Sequence, residues 1–376
     1  MPAPADVNVM GAEQSNSSAI LGGTMIAKLV RRLEPSRNPD AELPDELTRA
    51  GFEHVPGLVT TLEVSLAGES EPASALIVHD AIANEGDLWA WMQDLLSREV
   101  ERQLAGPQPG DEQHESSAWA LAGLLGKRTA QLHVALAELG RDDDEFAPEA
   151  YTLLYQRSLL QSLRSSLRET QRAIRRPTAA AQRAMGDAAL DLIGALRRNP
   201  DEVLTRFERL RTSKFAAMRI RVHGDLHLGQ ILWTGHDIVF IDFEGEPARA
   251  MSQRLIKRSP LVDVAGLLRS IDYAGRSAVV TATQRGIVAE TAVADLEAWR
   301  SDWVSNMQQR LLDEYLIEIA PSRLVPAERA DMQLLLDLFV LDKAFYEIRY
   351  ELGHRPDWVA WPLTAASELL EQVAAK

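Results

Sequence analysis

The feature that most constrains this fold is the stretch 223–244, in which acidic residues stand on either side of a short apolar hairpin. Gly224 permits a sharp turn because glycine tolerates positive φ, and it leaves the carboxylate of Asp225 on a loop. β-Prone residues on both sides of a Gly-His-Asp turn then predict a hairpin over 231–242. Its two strands have similar length and the same rise per residue, so we expect Asp242 to return beside Asp225.

The residue types in this stretch are those that phosphoryl transfer from a magnesium nucleotide requires. Asp225 would accept the proton of the attacking hydroxyl group, which makes it the predicted catalytic base. The predicted metal ligands are oxygen donors, as Mg²⁺ prefers, and they are Gln230, Asp242 and Glu244. An exposed hairpin with acidic ends is the alternative interpretation, and the set of three oxygen ligands after a His-Gly pair disfavours it. His223 is predicted to make a structural hydrogen bond.

Composition narrows the classes of protein to consider. A chain of 376 residues can bury a large core and normally forms two lobes or more. The formal net charge of −15 disfavours nucleic acid and anionic membranes as partners. The sequence has no cysteine, which excludes disulfides and thiolate metal sites. It also lacks a secretory signal pattern near its start and an apolar run of membrane-spanning length, so the predicted location is the cytoplasm.

The N-terminal segment predicts strands on both sides of a polar loop at 11–18. The predicted strands are 7–10, 19–21 and 25–30, and Gly22 and Gly23 separate the last two. This loop has a single glycine, so it is not a G-x-G-x-x-G motif, and its backbone N–H groups would contribute to phosphate binding. The loop side chains predicted to bind the nucleotide are those of Ser15, Asn16 and Ser17. Lys28 lies among apolar residues of the last strand, where a lone lysine is usually an edge or snorkelling residue.

The pattern changes from strands to helices near residue 86. A second hairpin is expected over 60–82, after which a spacing of 3.6 residues dominates. The predicted helices are 88–103, 117–139, 148–175, 178–198, 259–269 and 327–352. We therefore predict an α+β fold with a small antiparallel β-sheet lobe, which binds nucleotide, over 1–83 and a mainly helical lobe over 84–376. The second lobe would contain the catalytic loop, 221–247, and the sugar-binding helices.

Two sets of motifs resemble known families. The pattern His-Gly-Asp-x-x-x-x-Gln at 223–230, followed by Ile-Asp-Phe at 241–243, resembles the aminoglycoside-phosphotransferase and protein-kinase-like fold. Longer stretches resemble actinobacterial maltokinases, and they lie at 10–18, 224–230, 241–247, 258–260, 263–270 and 346–358. This resemblance implies a bilobal kinase fold that uses ATP and Mg²⁺. It also implies that Lys28 meets the α and β phosphates and that Glu42, on the next helix, pairs with Lys28.

The resemblance places the sugar contacts at the C-terminal helix and just beyond it. Sugars need carboxylates and amides for their hydroxyl groups and an aromatic surface for the apolar side of the ring. Positions 343, 346 and 347 follow the i, i+3, i+4 spacing that brings side chains to one side of a helix. The predicted substrate-binding residues are Lys343, Tyr346, Glu347, Arg355 and Trp358. A solvated helix edge is the alternative interpretation of the same stripe.

The resemblance implies an ATP-dependent sugar kinase that converts maltose to maltose 1-phosphate for α-glucan and glycogen synthesis. Glucosamine, or another sugar or aminosugar, is the alternative acceptor for the same fold. A small-antibiotic kinase is a further hypothesis, and so is a catalytically silent pseudokinase that acts as a partner protein. The implied partners are the small sugar and an enzyme of the trehalose synthase type. The sequence does not specify the sugar, the phosphorylated hydroxyl or the oligomeric state.

Members of this family usually carry an N-terminal cap subdomain before the loop at 11–18, whereas this chain begins almost at that loop. We therefore expect the cap to be absent and the residues of the catalytic site to be retained.

Overall fold

The computed structural model describes residues 7–11, 16–106, 111–141, 143–184, 193–194, 196, 203–246 and 249–371. The chain forms two compact units. Unit 1 consists of Met1–Pro148, Ile220–Arg258 and Ala278–Ile319, and unit 2 of Glu149–Arg219, Ser259–Ser277 and Ala320–Lys376. The predicted lobe boundary at residue 83 stays a prediction. No helix within the described ranges is both long enough and apolar enough to cross a membrane.

An antiparallel sheet of five strands occupies the N-terminal part of unit 1, as predicted. In space the strands follow the order β1-β2-β3-β5-β4. Their bounds are β1 Val7–Val9, β2 Ser17–Leu21, β3 Met25–Leu29, β4 Leu58–Val64 and β5 Ala73–Asp80. Gly22 and Gly23, between β2 and β3, have φ angles of 58° and 70°. This tight turn therefore uses the left-handed conformation that glycine adopts without steric cost.

The register of the sheet assigns its side chains to two sides. Ser18 is paired with Lys28, and Lys28 with Ile77, so these three side chains lie on the same side. Ile77 is fully buried and Ser18 nearly so, whereas Leu29, on the opposite side, is half exposed. The side of the sheet that carries Lys28 therefore faces the interior of unit 1.

Helices dominate the chain after β5. In chain order their bounds are α1 Pro39–Arg49, α2 Leu88–Ala105, α3 Asp111–Glu138, α4 Leu153–Arg175, α5 Ala179–Ala184, α6 Arg209–Thr212, α7 Met251–Arg254, α8 Leu261–Gln284, α9 Val293–Ile319, α10 Arg329–His354 and α11 Ala360–Glu371. Short 3-10 helices cover Leu139–Arg141, Thr205–Phe207, Leu228–Gln230, Glu290–Ala292, Ala320–Ser322 and Pro356–Trp358. A five-stranded antiparallel sheet followed by a mainly helical region confirms the predicted α+β fold class.

The hairpin predicted over 231–242 is present in unit 1. Its strands are β8 Ile231–Trp233 and β9 Ile238–Phe240, and Ile231 is paired with Phe240. Gly235 in the turn has a φ of 89°, which explains why glycine stands there. The backbone N–H of Ile241 donates to the carbonyl of Gln230 at 3.0 Å, so the chain leaves the hairpin beside the point where it entered.

Three predicted helices differ in their bounds from those in the structure. The helix predicted to begin at residue 148 begins instead at Leu153. The residues before it form strand β6 (Glu149–Ala150), which pairs with β7 (Met218–Arg219). The Thr152 hydroxyl then caps the helix by accepting the N–H of Tyr155. The helix predicted over 178–198 is represented by α5, which ends at Ala184, and most of its remainder lies outside the described residues. The helix predicted to end at residue 269 continues to Gln284 as α8.

Candidate active site

Lys28 lies at the centre of the polar cluster in unit 1. Its Nζ donates to Oδ2 of Asp40 at 2.9 Å and to Oδ1 of Asp242 at 2.7 Å, and it lies 3.4 Å from Oε1 of Glu244. Burial opposes the charge on Lys28, but the three carboxylates outweigh it and raise the pKa of the amine well above its ordinary value. Lys28 is therefore a permanent cation that folding brings beside the exit of the β8–β9 hairpin.

The carboxylate that pairs with Lys28 from helix α1 is Asp40, which corrects the predicted pairing with Glu42. Residues two apart on an α-helix differ by about 200° in direction, so Asp40 and Glu42 point to opposite sides of α1. Oδ1 of Asp40 also accepts the backbone N–H of Phe243 at 2.8 Å. Burial opposes ionisation of Asp40, but Lys28 and His79 outweigh it and hold the pKa of Asp40 below its ordinary value.

Glu42 has a different partner from the one predicted. Its Oε2 accepts a hydrogen bond of 2.9 Å from Nη2 of Arg221, and both side chains are buried. Arg221 lies two residues before His223, at the start of the loop that carries Asp225. Glu42 therefore connects α1 with this loop, and its predicted role in nucleotide binding stays a prediction.

Asp242 has an unusual backbone conformation. Its φ is 65°, a left-handed value that among the described non-glycine residues is shared only with Arg323. Aspartate tolerates this region better than most residues, but the conformation still costs free energy, and such outliers concentrate at functional sites. Nε2 of Gln230 donates to Oδ2 of Asp242 at 2.7 Å, while Lys28 occupies Oδ1. For Gln230 to ligate a metal beside Asp242, its amide would have to rotate, because here the nitrogen faces the carboxylate.

The loop that carries Asp225 packs against the segment that follows β9. Gly224 has a φ of 88°, as predicted, and a Cβ at this position would lie 3.4 Å from Cα of Gly245. Nε2 of His223 bonds the carbonyl of Ile241 at 2.9 Å, which confirms its predicted structural role. Asp225 itself is partly exposed on this loop. Its role as catalytic base stays a prediction, and the position on a loop held by buried neighbours is consistent with it.

Glu244 and Asn16 form a buried hydrogen bond, with Nδ2 of Asn16 as the donor and Oε1 of Glu244 as the acceptor. Burial raises the pKa of Glu244 to about 7; the carboxylates of Asp242 and Asp40 act in the same direction, and Lys28 opposes them. The carboxylate oxygens of Asp40, Asp242 and Glu244 lie within 4.8 Å of one another. An all-oxygen set of this kind fits the ligand preference of Mg²⁺. It includes Asp40, which was not among the predicted metal ligands. The predicted ligand Gln230 lies beside this set, because its Nε2 is 2.7 Å from Oδ2 of Asp242.

The loop residues predicted to bind the nucleotide differ in where the structure places their side chains. Ser15 lies outside the described residues. Ser17 is paired with Leu29, so its side chain lies on the opposite side of the sheet from Lys28, and its hydroxyl accepts from Nη2 of Arg31 at 2.8 Å. Its side chain therefore faces away from Lys28, and its predicted role in nucleotide binding stays a prediction. Ser18, the next residue, is buried on the same side of the sheet as Lys28, with which it is paired.

The predicted sugar contacts lie in unit 2, on α10 and the turn that follows it. The rings of Tyr346 and Tyr350 stack with centroids 6.2 Å apart, and Nζ of Lys343 lies 5.1 Å from the centre of the Tyr346 ring. The guanidinium of Arg355 lies 4.3 Å from the centre of the Trp358 ring. Of the five predicted sugar-binding residues, Glu347 is buried, and the other four are partly or fully exposed.

Glu347 belongs to a buried ionic network that sequence analysis did not find. Nε of Arg269 donates to Oε2 of Glu347 at 2.8 Å, and Nη1 of Arg269 donates to Asp272 at 2.9 Å. Burial raises the pKa of Glu347, and the charge on Arg269 opposes this effect. Glu351, one turn further along α10, accepts hydrogen bonds from Tyr273 and Arg355. The i, i+3 spacing of Arg269 and Asp272 was the available signal, but it does not reveal a partner on a distant helix.

Comparison with known proteins identifies a family over most of the chain. The model of the phosphotransferase enzyme family matches residues 8–300. A glucosamine kinase from Streptacidiphilus jiangxiensis is 28% identical over 367 residues, which cover 96% of this chain and 72% of that protein. A glucosamine kinase from Mycolicibacterium smegmatis is 24% identical over 365 residues, which cover 96% of this chain and 78% of that protein.

A similar solved structure supports the fold. It is a glucosamine kinase in complex with glucosamine, ADP and inorganic phosphate, with a TM-score of 0.74 at 24% sequence identity. The similarity covers 98% of this chain and 81% of that structure. The family model ends at residue 300, whereas these similarities also include the C-terminal helices with the predicted sugar contacts.

Proposed function

This chain belongs to the phosphotransferase enzyme family, and on that premise we propose that it transfers the γ-phosphoryl group of ATP to a hydroxyl group of a small sugar. The observation that carries this proposal is the arrangement around Lys28, where a largely shielded cation and the carboxylate of Asp242 meet beside the loop of Asp225. A cation for the phosphates, oxygen ligands for a metal and a separate carboxylate for the proton are the parts that phosphoryl transfer needs.

Each residue then has a role that its surroundings support. Lys28 would bind phosphate oxygens in place of some of its present carboxylate contacts, because its charge is retained at any physiological pH. Asp225 would accept the proton of the sugar hydroxyl as its oxygen attacks phosphorus. Asp242, with Asp40, Glu244 or Gln230 as further oxygen donors, would hold Mg²⁺. The metal, when bound, neutralises part of the negative charge on the phosphates.

Glucosamine is the acceptor that we favour. Both relatives named above are glucosamine kinases, and each matches 96% of this chain. The maltose hypothesis depends on motif resemblance alone, since neither of the two relatives is named for maltose. Maltose therefore remains the second candidate acceptor.

A coupled assay of ADP release tests the function with glucosamine, glucose and maltose as acceptors and with no acceptor as the control. We expect turnover with glucosamine to exceed that with either neutral sugar, and a product heavier by one phosphoryl group in mass spectrometry. Turnover with maltose alone would reverse the order of the two candidates. ATP binding without turnover on any sugar would favour the pseudokinase hypothesis.

A further inference from the structure

The turn of the β8–β9 hairpin is held by a charged side chain from another element of unit 1. Nε of Arg128, on α3, donates to Oδ1 of Asp237 at 2.9 Å, and Nη2 of Arg128 donates to the other carboxylate oxygen. A two-point contact of this kind fixes orientation as well as distance. Asp237 also accepts the N–H of Ile238, the first residue of β9, at 2.8 Å. Arg128 therefore holds the residue from which β9 begins.

Arg128 is itself oriented by the helices of unit 1. Its Nη1 donates to Oε1 of Gln131, one turn further along α3, at 2.7 Å. Nε2 of Gln131 in turn donates to Oε1 of Glu318, on α9, at 2.9 Å. The side chains of Arg128 and Asp237 are 22% and 21% exposed, so solvent screens their pair less than a pair on an open surface. A chain of hydrogen bonds thus joins α9, α3 and the hairpin turn.

The edge of β9 that faces away from β8 has a second anchor, at His54. The backbone N–H of Phe240 donates to the carbonyl of His54 at 2.9 Å, and Nδ1 of His54 bonds the carbonyl of Ile238 at 3.1 Å. A hairpin whose strands have three residues each is marginal by itself. Its position therefore depends on such tertiary contacts at the turn and along this edge.

Asp242 follows this anchored strand by two residues. Its positive φ of 65° persists only where the surrounding structure fixes the backbone. β9 is extended and has hydrogen bonds along both edges, so a displacement of its start at Asp237 would be transmitted to its exit. The carboxylate of Asp242 contacts Lys28 and Gln230 at 2.7 Å each, and both contacts require that exit to be in place.

We infer that Arg128 and Asp237 are positioning residues: their ion pair fixes the turn of the β8–β9 hairpin and thereby holds Asp242 where it meets Lys28 and would meet Mg²⁺. The inference rests on the proposed ATP-dependent function. Both residues act through Asp242, and the oxygen donors proposed for the metal stay as given above.

Hydrogen–deuterium exchange of the free protein tests the first step, in which the pair holds the hairpin. Arg128→Gln should speed exchange at the N–H groups of Phe240 and Ile241 about three- to tenfold, because these groups hold the two edges of β9. Asp237→Asn should do the same, and its remaining oxygen can still accept the N–H of Ile238. Lys127→Gln removes one positive charge of α3 at an exposed position, and it should exchange at the wild-type rate.

Calorimetric titration of ATP at a series of Mg²⁺ concentrations, without sugar, tests the second step. Arg128→Gln and Asp237→Asn should each raise the Mg²⁺ concentration for half-maximal ATP binding about three- to tenfold, because Asp242 would leave its place beside the metal more often. The double variant should need no more Mg²⁺ than about the poorer single variant, since both changes remove one pair. Lys127→Gln should match the wild type. At a temperature well below the Tm of every variant, a loss of stability alone would not change this concentration.

Faster exchange in the hairpin with an unchanged Mg²⁺ requirement would overturn the inference, because the pair would then only stabilise the fold. Unchanged exchange, or equal effects of Lys127→Gln, would overturn it as well. If Arg128→Gln does not fold, Asp237→Asn decides the outcome by the same two measurements. A wild-type chain that binds no ATP at any Mg²⁺ concentration would instead refute the proposed function, and the inference with it.

Discussion

Nζ of Lys28 donates a hydrogen bond of 2.7 Å to Oδ1 of Asp242, although 214 residues separate the two in sequence. One residue lies on a central strand of the N-terminal sheet, and the other follows the β8–β9 hairpin. Asp242 accepts this bond from a left-handed backbone conformation that its neighbours must maintain. The contact therefore joins the predicted phosphate-binding lysine to a predicted metal ligand.

Asp225→Asn should abolish most turnover and leave nucleotide binding intact. The amide cannot accept the hydroxyl proton, so we expect kcat to fall by about 10²-fold or more, the usual contribution of a general base. ATP affinity, measured by calorimetry, should stay within a few-fold of the wild-type value. Asp302→Asn, an exposed change on α9, is the control. Near-normal turnover of the Asp225 variant would reject the assignment of this base.

Asp40→Asn and Glu42→Gln should separate the roles of these two acidic residues of α1. The first removes a charge that pairs with Lys28, so we expect KM for ATP to rise about tenfold. The second removes the charge that pairs with buried Arg221, so its main effect should be a lower Tm. Steady-state kinetics and thermal unfolding of both variants provide the check. The reverse pattern would restore Glu42 as the partner of Lys28.

Gly126→Ala should destabilise the protein, whereas Gly123→Ala, one turn earlier on α3, should not. A Cβ on Gly126 would lie 2.1 Å from the carbonyl oxygen of Leu311 on α9, so the two helix backbones must separate at a cost of about 1–3 kcal/mol. A Cβ on Gly123 meets only side-chain atoms of Glu314 and Arg310. There the better helix propensity of alanine should be neutral or stabilise by up to about 1 kcal/mol. Urea unfolding of the two variants measures the difference.

His54 should make stability depend on pH in the weakly acidic range. Burial, with the nearby charge of Arg128, lowers the pKa of His54, while its Nδ1 bonds the carbonyl of Ile238 at 3.1 Å. The unfolded chain binds this proton below about pH 6.5, and the folded chain only at lower pH. The contribution of neutral His54 to stability is therefore complete above about pH 6.5 and is lost as pH falls through the lowered pKa.

Thermal unfolding between pH 7.5 and pH 5 of the wild type and of His54→Gln measures this contribution. We expect Tm of the wild type to fall more steeply with acidification than Tm of the variant. His236→Gln, at an exposed position in the turn of the same hairpin, should retain the wild-type slope. Equal slopes for the wild type and the His54 variant would contradict the prediction.

The parts of this fold that were predicted correctly depend on short-range rules. Glycine at a positive φ and alternating β-prone residues predicted the hairpins of the sheet and the one after Gly224. Helix α2 was predicted to begin at residue 88, and the side chain of Asp87 caps it there at the N–H of Ala90. Such signals act within a few residues, so they can be read without knowledge of the rest of the chain.

By itself, the sequence determined the fold class, the loop of Asp225, the hairpin exit at Asp242 and the strand that carries Lys28. Only the tertiary structure decided that Asp40 and not Glu42 meets Lys28, that Ser17 points away from it, and that Arg269 holds Glu347. The physical reason is that a helix can turn any side toward its neighbour and a strand can shift by one residue. Long-range packing determines which side of a helix or strand faces inward, so local sequence patterns do not predict it.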